Sequence, residues 1–319
     1  MSHKSIDYNF FVTKLPSGSQ VFIKYADQTA VITELGATLR SYQVSGTPII
    51  WEFAESEMPS HSQGQILAPW PNRLKDGSYT FDGKTMRVPI NELDNHNAIH
   101  GIFRWQRFKI EDIAENSCRL SFDSLYTPGY PYHLSLTVEY ILSETGLIVN
   151  TNVVNIGSKK LPFAIGFHPY FIADSELINM CKLTIPAKQR LVMDERQIPI
   201  SSESIIDTDF DFSHANKSRY IEDINMDDCF FDLDLDSSSR WNVIFELSSG
   251  KKTALWGDKD FAYIMCYTGD GLGIDARRVL AIEPMTSPPN AFATGKNLII
   301  LEPSCSWNSS FGINPFFEN

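Results

Sequence analysis

Apolar and polar residues alternate with a period of two along much of this chain. Such alternation predicts β-strands with one buried face, and the runs are rich in the β-branched and aromatic residues that strands favour. No long segment has the i, i+3, i+4, i+7 apolar spacing of an amphipathic helix. The pattern therefore predicts an all-β protein. The clearest runs are residues 19–25, 29–34, 134–142, 147–154, 241–247 and 263–267, with a shorter one at 79–81.

Gly-containing turns, such as the Asp-Gly pairs at 76–77 and 82–83, separate these runs. Because the predicted strands do not alternate with helices, a parallel α/β sheet is not expected. Two packed antiparallel sheets or a large open barrel fit the pattern better. No linker, low-complexity tract or internal repeat interrupts the chain, so residues 1–319 are expected to form a single domain.

The charge balance bears on the partners of the protein. The chain has 27 Lys and Arg against 39 Asp and Glu, which gives a formal net charge of −12. An acidic surface repels polyphosphate, so nucleic acid is not an expected partner. The same charge weighs against a phosphorylated substrate, although a local group of arginines would override it.

The cysteines and the N-terminus bear on the cellular location. Five cysteines without a CxxC pair indicate reduced thiols. The N-terminus has no apolar segment of a secretion signal, and no stretch approaches the roughly 20 apolar residues of a membrane span. We therefore expect a cytoplasmic protein with no membrane partner. The cysteines are Cys118, Cys181, Cys229, Cys266 and Cys305.

Candidate chemistry lies in three segments between the runs, and the first covers residues 67–101. Two prolines and Trp70 precede Asn72 and Arg73, and the guanidinium fork of Arg73 suits sugar hydroxyls or a carboxylate. His96 and His100 stand four residues apart, but no Glu follows His96 and the segment is too rich in Asn and Asp for a zinc-binding helix. A surface ion pair for the arginine and buried structural roles for the histidines are the alternatives.

The second and third segments offer an acid and a base. His168 stands among aromatic residues in residues 161–171, where its pKa can be tuned and where aromatic faces can pack against a sugar. A core histidine is the alternative. Glu283 follows Ala281 and Ile282, so we expect a strand end that delivers a carboxylate. Burial would raise the pKa of Glu283 toward the range that suits a general base.

Several familiar site motifs are absent or incomplete. Asp232, Asp234 and Asp236 imitate the start of an EF-hand, but Ser237 and Val243 occupy the positions that need Gly and Glu. There is no G-x-S-x-G, no P-loop and no G-x-G-x-x-G. The sequence therefore predicts neither a cofactor nor a metal ion.

Taken in order, the motifs of this chain resemble the aldose 1-epimerase, or galactose mutarotase-like, family. The resemblance runs from about residue 21 to residue 313. It implies a single large antiparallel β-sandwich, the supersandwich of that family, and a mutarotase that interconverts the α and β anomers of a free aldose. The motifs that carry it are ELGATLRSYQVSG, WPNRLKDGSYTFDG, NHNAIHG, GFHPYF, MDDCF, CYTGD and the segment around Glu283.

The resemblance also implies roles for individual residues. Glu283 matches the catalytic base, His168 the general acid, and His100 a second histidine that binds and polarises the sugar. In the same way, Arg73 and Asp227 match residues that bind sugar hydroxyls. The neighbouring Asn72 and His96 are the further substrate-binding candidates.

Departures from the family pattern keep different functions open. Met265 stands where many members have Gln, so the identity of the sugar is not fixed. Arg104 and Arg107 would suit a hexose 6-phosphate. A sugar-binding protein without activity, or a glycosidase using Glu283 with Asp227, would also fit the residues of this chain. A monomer and a homodimer fit the sequence equally well.

Overall fold

The computed structural model of the protein describes residues 15–213 and 218–317. The expectation that the N-terminus lacks a secretion signal rests largely on residues 1–14, which lie outside the described residues. In the part of the chain that is described, strands dominate and helices are limited to single turns. None of these helices is long and apolar enough to cross a membrane.

The strands are numbered here in chain order. They are β1 (Gln20–Tyr25), β2 (Gln28–Thr33), β3 (Leu39–Val44), β4 (Thr47–Pro48), β5 (Ile66–Leu67), β6 (Arg73–Lys75), β7 (Ser78–Phe81), β8 (Lys84–Arg87), β9 (Asn97–Ile99), β10 (Lys109–Ile113), β11 (Ser117–Ser124), β12 (Leu134–Ser143), β13 (Gly146–Asn155), β14 (Leu161–Phe163), β15 (Gly166–Phe167), β16 (Tyr170–Ile172), β17 (Lys182–Thr184), β18 (Ala187–Met193), β19 (Pro199–Ser204), β20 (Arg219–Tyr220), β21 (Asp227–Leu233), β22 (Arg240–Glu246), β23 (Lys252–Asp258), β24 (Tyr263–Tyr267), β25 (Val279–Met285), β26 (Ile299–Leu301) and β27 (Ser306–Pro315).

The helical turns are short. One α-helical turn, α1, spans Ala291–Thr294 and follows the third candidate segment. The 3-10 turns among the described residues are Phe103–Trp105, Ile178–Met180 and Gly273–Asp275.

Two large antiparallel sheets organise these strands. The nine-stranded sheet has the order β10-β11-β12-β13-β27-β23-β22-β17-β20, and the eight-stranded sheet has the order β19-β18-β21-β24-β25-β15-β5 with β16 also paired to β25. A four-stranded sheet, β1-β2-β3-β4, and three two-stranded ribbons complete the fold. The expected antiparallel β-sandwich is confirmed, and so are the strands predicted from alternation. For example, residues 134–142 and 147–154 fall within β12 and β13.

The core lies between the inner faces of the two large sheets. Leu136 and Val138 of β12 and Phe230 and Ile264 of the eight-stranded sheet are fully buried. The rings of Phe167 and Phe311, which belong to different sheets, have centroids 4.5 Å apart. Because alternate residues of a strand point to opposite faces, the polar residues between these positions lie on the other face of each sheet.

The eight-stranded sheet is interrupted beside its centre. β15 and β16 both pair with β25, but His168 and Pro169 between them belong to neither strand. Pro169 has no N–H to donate to a ladder. The backbone N–H of His168 donates instead to the carbonyl of Gln65 at 3.1 Å, and the N–H of Gly64 donates to the carbonyl of His168 at 2.9 Å. This interruption holds the side chain of His168 against the face of the sheet that carries Glu283.

Candidate active site

A pocket of about 430 Å³ lies on the face of the eight-stranded sheet opposite to the core. Its size falls in the range of about 300–1,000 Å³ typical of small-molecule sites. Aromatic, hydroxyl, amide and ionisable side chains line it together. They include Gln65, Asn72, Arg73, His100, Arg104, His168, Tyr170, Asp227, Tyr267 and Glu283.

A larger groove of about 640 Å³ crosses the nine-stranded sheet. Its lining consists mainly of Asn, Ser and Thr, and no histidine lies among the lining residues. Its Glu139 accepts a hydrogen bond from Asn150 at 3.0 Å. The smaller pocket is therefore the better candidate site, because it alone of the two combines a buried carboxylate with imidazoles.

Strand alternation brings Glu283 into the pocket. In β25, Ile282 and Pro284 lie on the core side of the sheet, and Glu283 between them points the other way. Glu283 lies within the strand Val279–Met285, so the expectation that it stands at a strand end was wrong. Directly opposite it on β24 is Met265, which is fully buried. A carboxylate on a central strand with such a neighbour is held away from water.

Glu283 and His168 form a buried pair. Glu283 is 2% exposed, and its Oε1 lies 3.2 Å from Nε2 of His168. Its Oε2 has no hydrogen-bond partner among the described residues. Burial raises the pKa of Glu283 well above its usual range, and the charge of Asp227 raises it further. Burial lowers the pKa of His168 to about 3.

Because the two groups are in contact, they titrate as a coupled pair, and a single proton on the pair belongs to both residues together. The proton can be placed on either partner, as carboxylic acid with imidazole or as carboxylate with imidazolium, and both forms have the same net charge. Such a pair can take a proton at one atom and give one at another, which is the requirement for general acid–base catalysis.

His100 is brought beside His168 by a strained turn. His100 and Gly101 both have positive φ, at 63° and 64°. A Cβ on residue 101 would lie 2.0 Å from the carbonyl oxygen of Ala68, so only glycine fits there. The His100 ring meets the His168 ring edge-on with centroids 5.2 Å apart. Burial, followed by the nearby His168, lowers the pKa of His100 well below its ordinary value, so it is a neutral polar contact.

Arg73 lies in the pocket wall within a network of carboxylates. Its Nε donates to Glu92 at 3.0 Å, and both terminal nitrogens lie 3.5 Å from Oδ2 of Asp227. Burial raises the pKa of Asp227, and the charge of Arg73 opposes that shift. Asn72 is buried one residue before Arg73 and adopts a positive φ of 53°. The arrangement offers both donors and acceptors to a ligand rich in hydroxyls.

The structure does not bring His96 into this pocket. The His96 side chain is 68% exposed, and its Nδ1 lies 2.9 Å from Asp76. The other predicted site residues, which are Glu283, His168, His100, Arg73, Asp227 and Asn72, all line the pocket.

Sequence reasoning missed several lining residues. Gln65 lies in a segment without a strong pattern, and its contribution depends on its backbone pairing with His168. Tyr170 stacks on the His168 ring with centroids 4.7 Å apart. Tyr267 and Asp227 are directly paired on neighbouring strands, so both face the pocket. Of these residues, only Tyr170 belongs to the aromatic group that the sequence predicted around His168.

Within the described part of the chain, no group of three or more His, Cys, Asp or Glu is placed to hold a metal ion. All five cysteines are free, and only Cys305 is exposed.

Comparison with known proteins adds a family relationship. The sequence model of the family described as Aldose 1-epimerase matches residues 21–314. The uncharacterized protein YihR of Escherichia coli (strain K12) is 31% identical over 288 residues, which cover 90% of this chain and 90% of YihR. A protein of Rattus norvegicus named galactose mutarotase is 31% identical over 207 residues, or 58% of each chain.

Solved structures agree on the fold. The GalM/aldose epimerase homologue from C. elegans has a TM-score of 0.81 at 20% identity, covering 94% of this chain and 100% of that one. A putative aldose 1-epimerase from Escherichia coli K12 has a TM-score of 0.80 at 16% identity, covering 94% and 99%. At such identities the likeness concerns the fold alone.

Proposed function

Because this chain belongs to the aldose 1-epimerase family and is an isomerase, we propose that it interconverts the α and β anomers of a free aldose in the pocket of the eight-stranded sheet. The family expected from the sequence motifs is confirmed. The buried contact between Glu283 and His168, at 3.2 Å, is the observation that carries the proposal.

Mutarotation needs two proton transfers at neighbouring oxygens of the sugar. Glu283 takes the proton of the C1 hydroxyl, and His168 gives a proton to the ring oxygen. The bond between C1 and the ring oxygen breaks, and the open-chain aldehyde rotates about its C1–C2 bond. The ring then closes on the other face of C1 with both protons returned. One shared proton on the pair is enough for the whole cycle.

The remaining pocket residues suit binding of a polyol. We assign Arg73, Asp227 and Asn72 to sugar hydroxyls, and His100 to polarisation of the reacting end. Tyr170 is held against His168, where an aromatic face can pack on the C–H side of a ring. His96 is left out of this assignment because its ring pairs with Asp76 outside the pocket.

The same observations give less support to the competing functions. A sugar-binding protein without activity would have no need to bury an ionisable pair, which is costly to fold. A glycosidase using Glu283 and Asp227 would need a second carboxylate free to act, but Asp227 contacts Arg73. The hexose 6-phosphate alternative differs only in the substrate of the same reaction.

The test is the rate of anomer exchange of freshly dissolved α-D-galactose and α-D-glucose, followed by polarimetry. We expect the wild-type protein to accelerate exchange in proportion to its concentration. Glu283→Gln should lose about 10³-fold or more of kcat, because acid–base catalysis and positioning both fail. Glu139→Gln, which changes a carboxylate in the groove of the other sheet, is the matched control and should keep full activity.

Retained exchange in Glu283→Gln would contradict the assignment of the base. Sugar binding without any acceleration by the wild-type protein would favour the inactive sugar-binding alternative.

A further inference from the structure

Arg104 lines the pocket without an anionic partner. It is 8% exposed, and its guanidinium donates to Oγ of Ser62 at 2.7 Å, Oε1 of Gln65 at 3.3 Å and the carbonyl of Ile99 at 3.5 Å. All three acceptors are neutral. It forms no ion pair with any carboxylate in residues 15–213 and 218–317.

Several other buried or half-buried arginines of this protein are paired with carboxylates, whereas the half-buried Arg40, which does not line this pocket, donates to the carbonyl of Phe53 at 3.1 Å and forms no ion pair among the described residues. Arg73 pairs with Glu92 and Asp227, Arg190 with Asp228, and Arg277 with Asp270. Taking a cation out of water without a counter-ion is costly. Burial lowers the pKa of Arg104 to about 10, which still leaves it charged at neutral pH. A charge kept uncompensated in a pocket wall calls for an anion that arrives with the ligand.

The neighbours of Arg104 reinforce this argument, because they too can donate. The Ser62 oxygen accepts from Arg104, so the Ser62 hydroxyl proton can point elsewhere. The Gln65 side chain accepts through Oε1, and its buried Nε2 has no partner among the described residues. Carboxylates, phosphates and sulfonates accept hydrogen bonds and donate none, whereas a sugar hydroxyl must also place its own proton. A cluster of donors fits the first group better.

The position of this cluster indicates which carbon would carry the anion. Arg104 contacts the side chain of Gln65, whose carbonyl accepts from the backbone of His168. It also contacts the carbonyl of Ile99, the residue before His100. The cluster therefore lies on the histidine side of the pocket. In the proposed reaction His168 gives a proton to the ring oxygen. The ring oxygen joins C1 to C5, and C5 bears the C6 group.

We propose that Ser62, Gln65 and Arg104 form a receptor for an anionic group at C6 of the sugar, such as a carboxylate, a phosphate or a sulfonate. The inference rests on the proposed mutarotase function for its orientation of the sugar. It makes the substrate an acidic hexose derivative and gives the protein a selectivity against neutral sugars.

The test compares anomer exchange of D-glucose with that of its 6-carboxylate, 6-phosphate and 6-sulfonate counterparts, with the spontaneous rate subtracted. We expect the wild-type kcat/KM for at least one anionic sugar to exceed that for glucose by tenfold or more. Arg104→Gln should lower this ratio about 10- to 100-fold, the effect of losing a charge-assisted hydrogen bond. Arg104→Lys should retain part of it, because it keeps the charge without the fork.

Two further variants sharpen the test. Gln65→Glu would supply an internal counter-ion to Arg104 and should also lower the ratio. Arg107→Gln is the matched control, because the Arg107 side chain is 78% exposed and pairs with Glu34 rather than lining the pocket. It should change the ratio by less than twofold. Thermal unfolding of each variant checks that it is folded.

A preference for glucose over all three anionic sugars would overturn the inference, as would an equal ratio in wild type and Arg104→Gln. Calorimetric binding of the anionic sugars to Glu283→Gln separates this failure from that of the proposed function. Binding that depends on Arg104, without exchange by the wild-type protein, would keep the receptor and remove the mutarotase. Exchange of glucose with no Arg104-dependent binding would do the reverse.

Discussion

The nine-stranded and eight-stranded sheets use the same alternation of residues for different ends. In the nine-stranded sheet β12, β13 and β27 each run for ten residues, and the outer face carries short neutral contacts such as Ser310 with Asn150 at 2.7 Å. In the eight-stranded sheet β5, β15 and β16 have only two or three residues each. Its outer face buries Glu283 and His168.

This contrast indicates that the nine-stranded sheet contributes mainly to stability, whereas the eight-stranded sheet carries the candidate active site. Long uninterrupted ladders satisfy backbone groups and bury regular rows of apolar side chains. An interrupted ladder allows a loop residue such as His168 to enter the sheet face, at the cost of burying groups that prefer water. If this view is right, substitutions in the two sheets should affect different measured quantities.

The largest effect, a fall in kcat with little change in sugar affinity, is expected for His168→Gln. Glutamine retains hydrogen-bonding capacity but cannot exchange a proton near neutral pH, so kcat should fall about 10²–10⁴-fold. Sugar affinity should change little, because the pocket shape is kept. His133→Gln, an exposed position before β12, is the matched control and should leave kcat unchanged. A fall in affinity with kcat preserved would show that His168 binds the sugar rather than acting as the acid.

Leu136→Ala in β12 should have the opposite profile. Leu136 is fully buried in the core, and its truncation should lower the free energy of unfolding by about 2–5 kcal/mol. The kcat of the folded fraction should stay within twofold of wild type. Denaturant unfolding measures the first quantity, and Ser135→Ala on the other face of β12 is a control expected to change it by less than about 0.5 kcal/mol. A large loss of kcat without loss of stability would break the comparison.

A smaller effect, confined to binding, is expected for Arg73→Gln. The guanidinium contacts Asp227 and Glu92 before any sugar arrives, and hydroxyl contacts exist in the ground state and the transition state alike. KM should therefore rise about tenfold, with kcat within threefold of wild type. Arg196→Gln, which removes an arginine bound to Asp76 outside the pocket, should leave both constants unchanged. A loss confined to kcat would mean that Arg73 acts mainly in the transition state.

The same contrast explains how far the sequence could be interpreted. Alternation over ten residues in β12 and β13 is a signal repeated many times, so it located both strands to within one or two residues. The apolar residues Ala281 and Ile282 before Glu283 predicted a strand end at Glu283, yet β25 continues through Pro284 to Met285. Pro284 has no N–H to donate, but the pairing of β25 with β24 continues across it, and this register sets the face that Glu283 takes.

The pocket itself was only partly predictable. Glu283, His168 and Arg73 were identified because their motifs resemble those of a family. Such motifs mark residues that come together only in the folded protein. Gln65 is held in the pocket by a backbone hydrogen bond with His168, which lies 103 positions later in the chain. No local sequence pattern predicts such a contact. His96 had the right residue type in the right segment, but its positive φ of 52° and its contact with Asp76 belong to a surface turn.

The smallest predicted effect concerns the stability cost of the site. Burial raises the pKa of Glu283, so the folded protein holds this proton more tightly than the unfolded chain does. Its contribution to stability is complete below the unfolded value near 4.5 and is lost as the pH rises through the folded pKa. Glu283→Gln has no such proton to lose, so at pH 8 it should be more stable than wild type by about 0.5–2 kcal/mol. The advantage should shrink toward pH 5 in denaturant unfolding at each pH. A difference in the free energy of unfolding that stays constant with pH would mean that burial does not raise the pKa of Glu283. The two sheets would then differ in geometry, but the ionisable site would not lower the stability of the eight-stranded sheet.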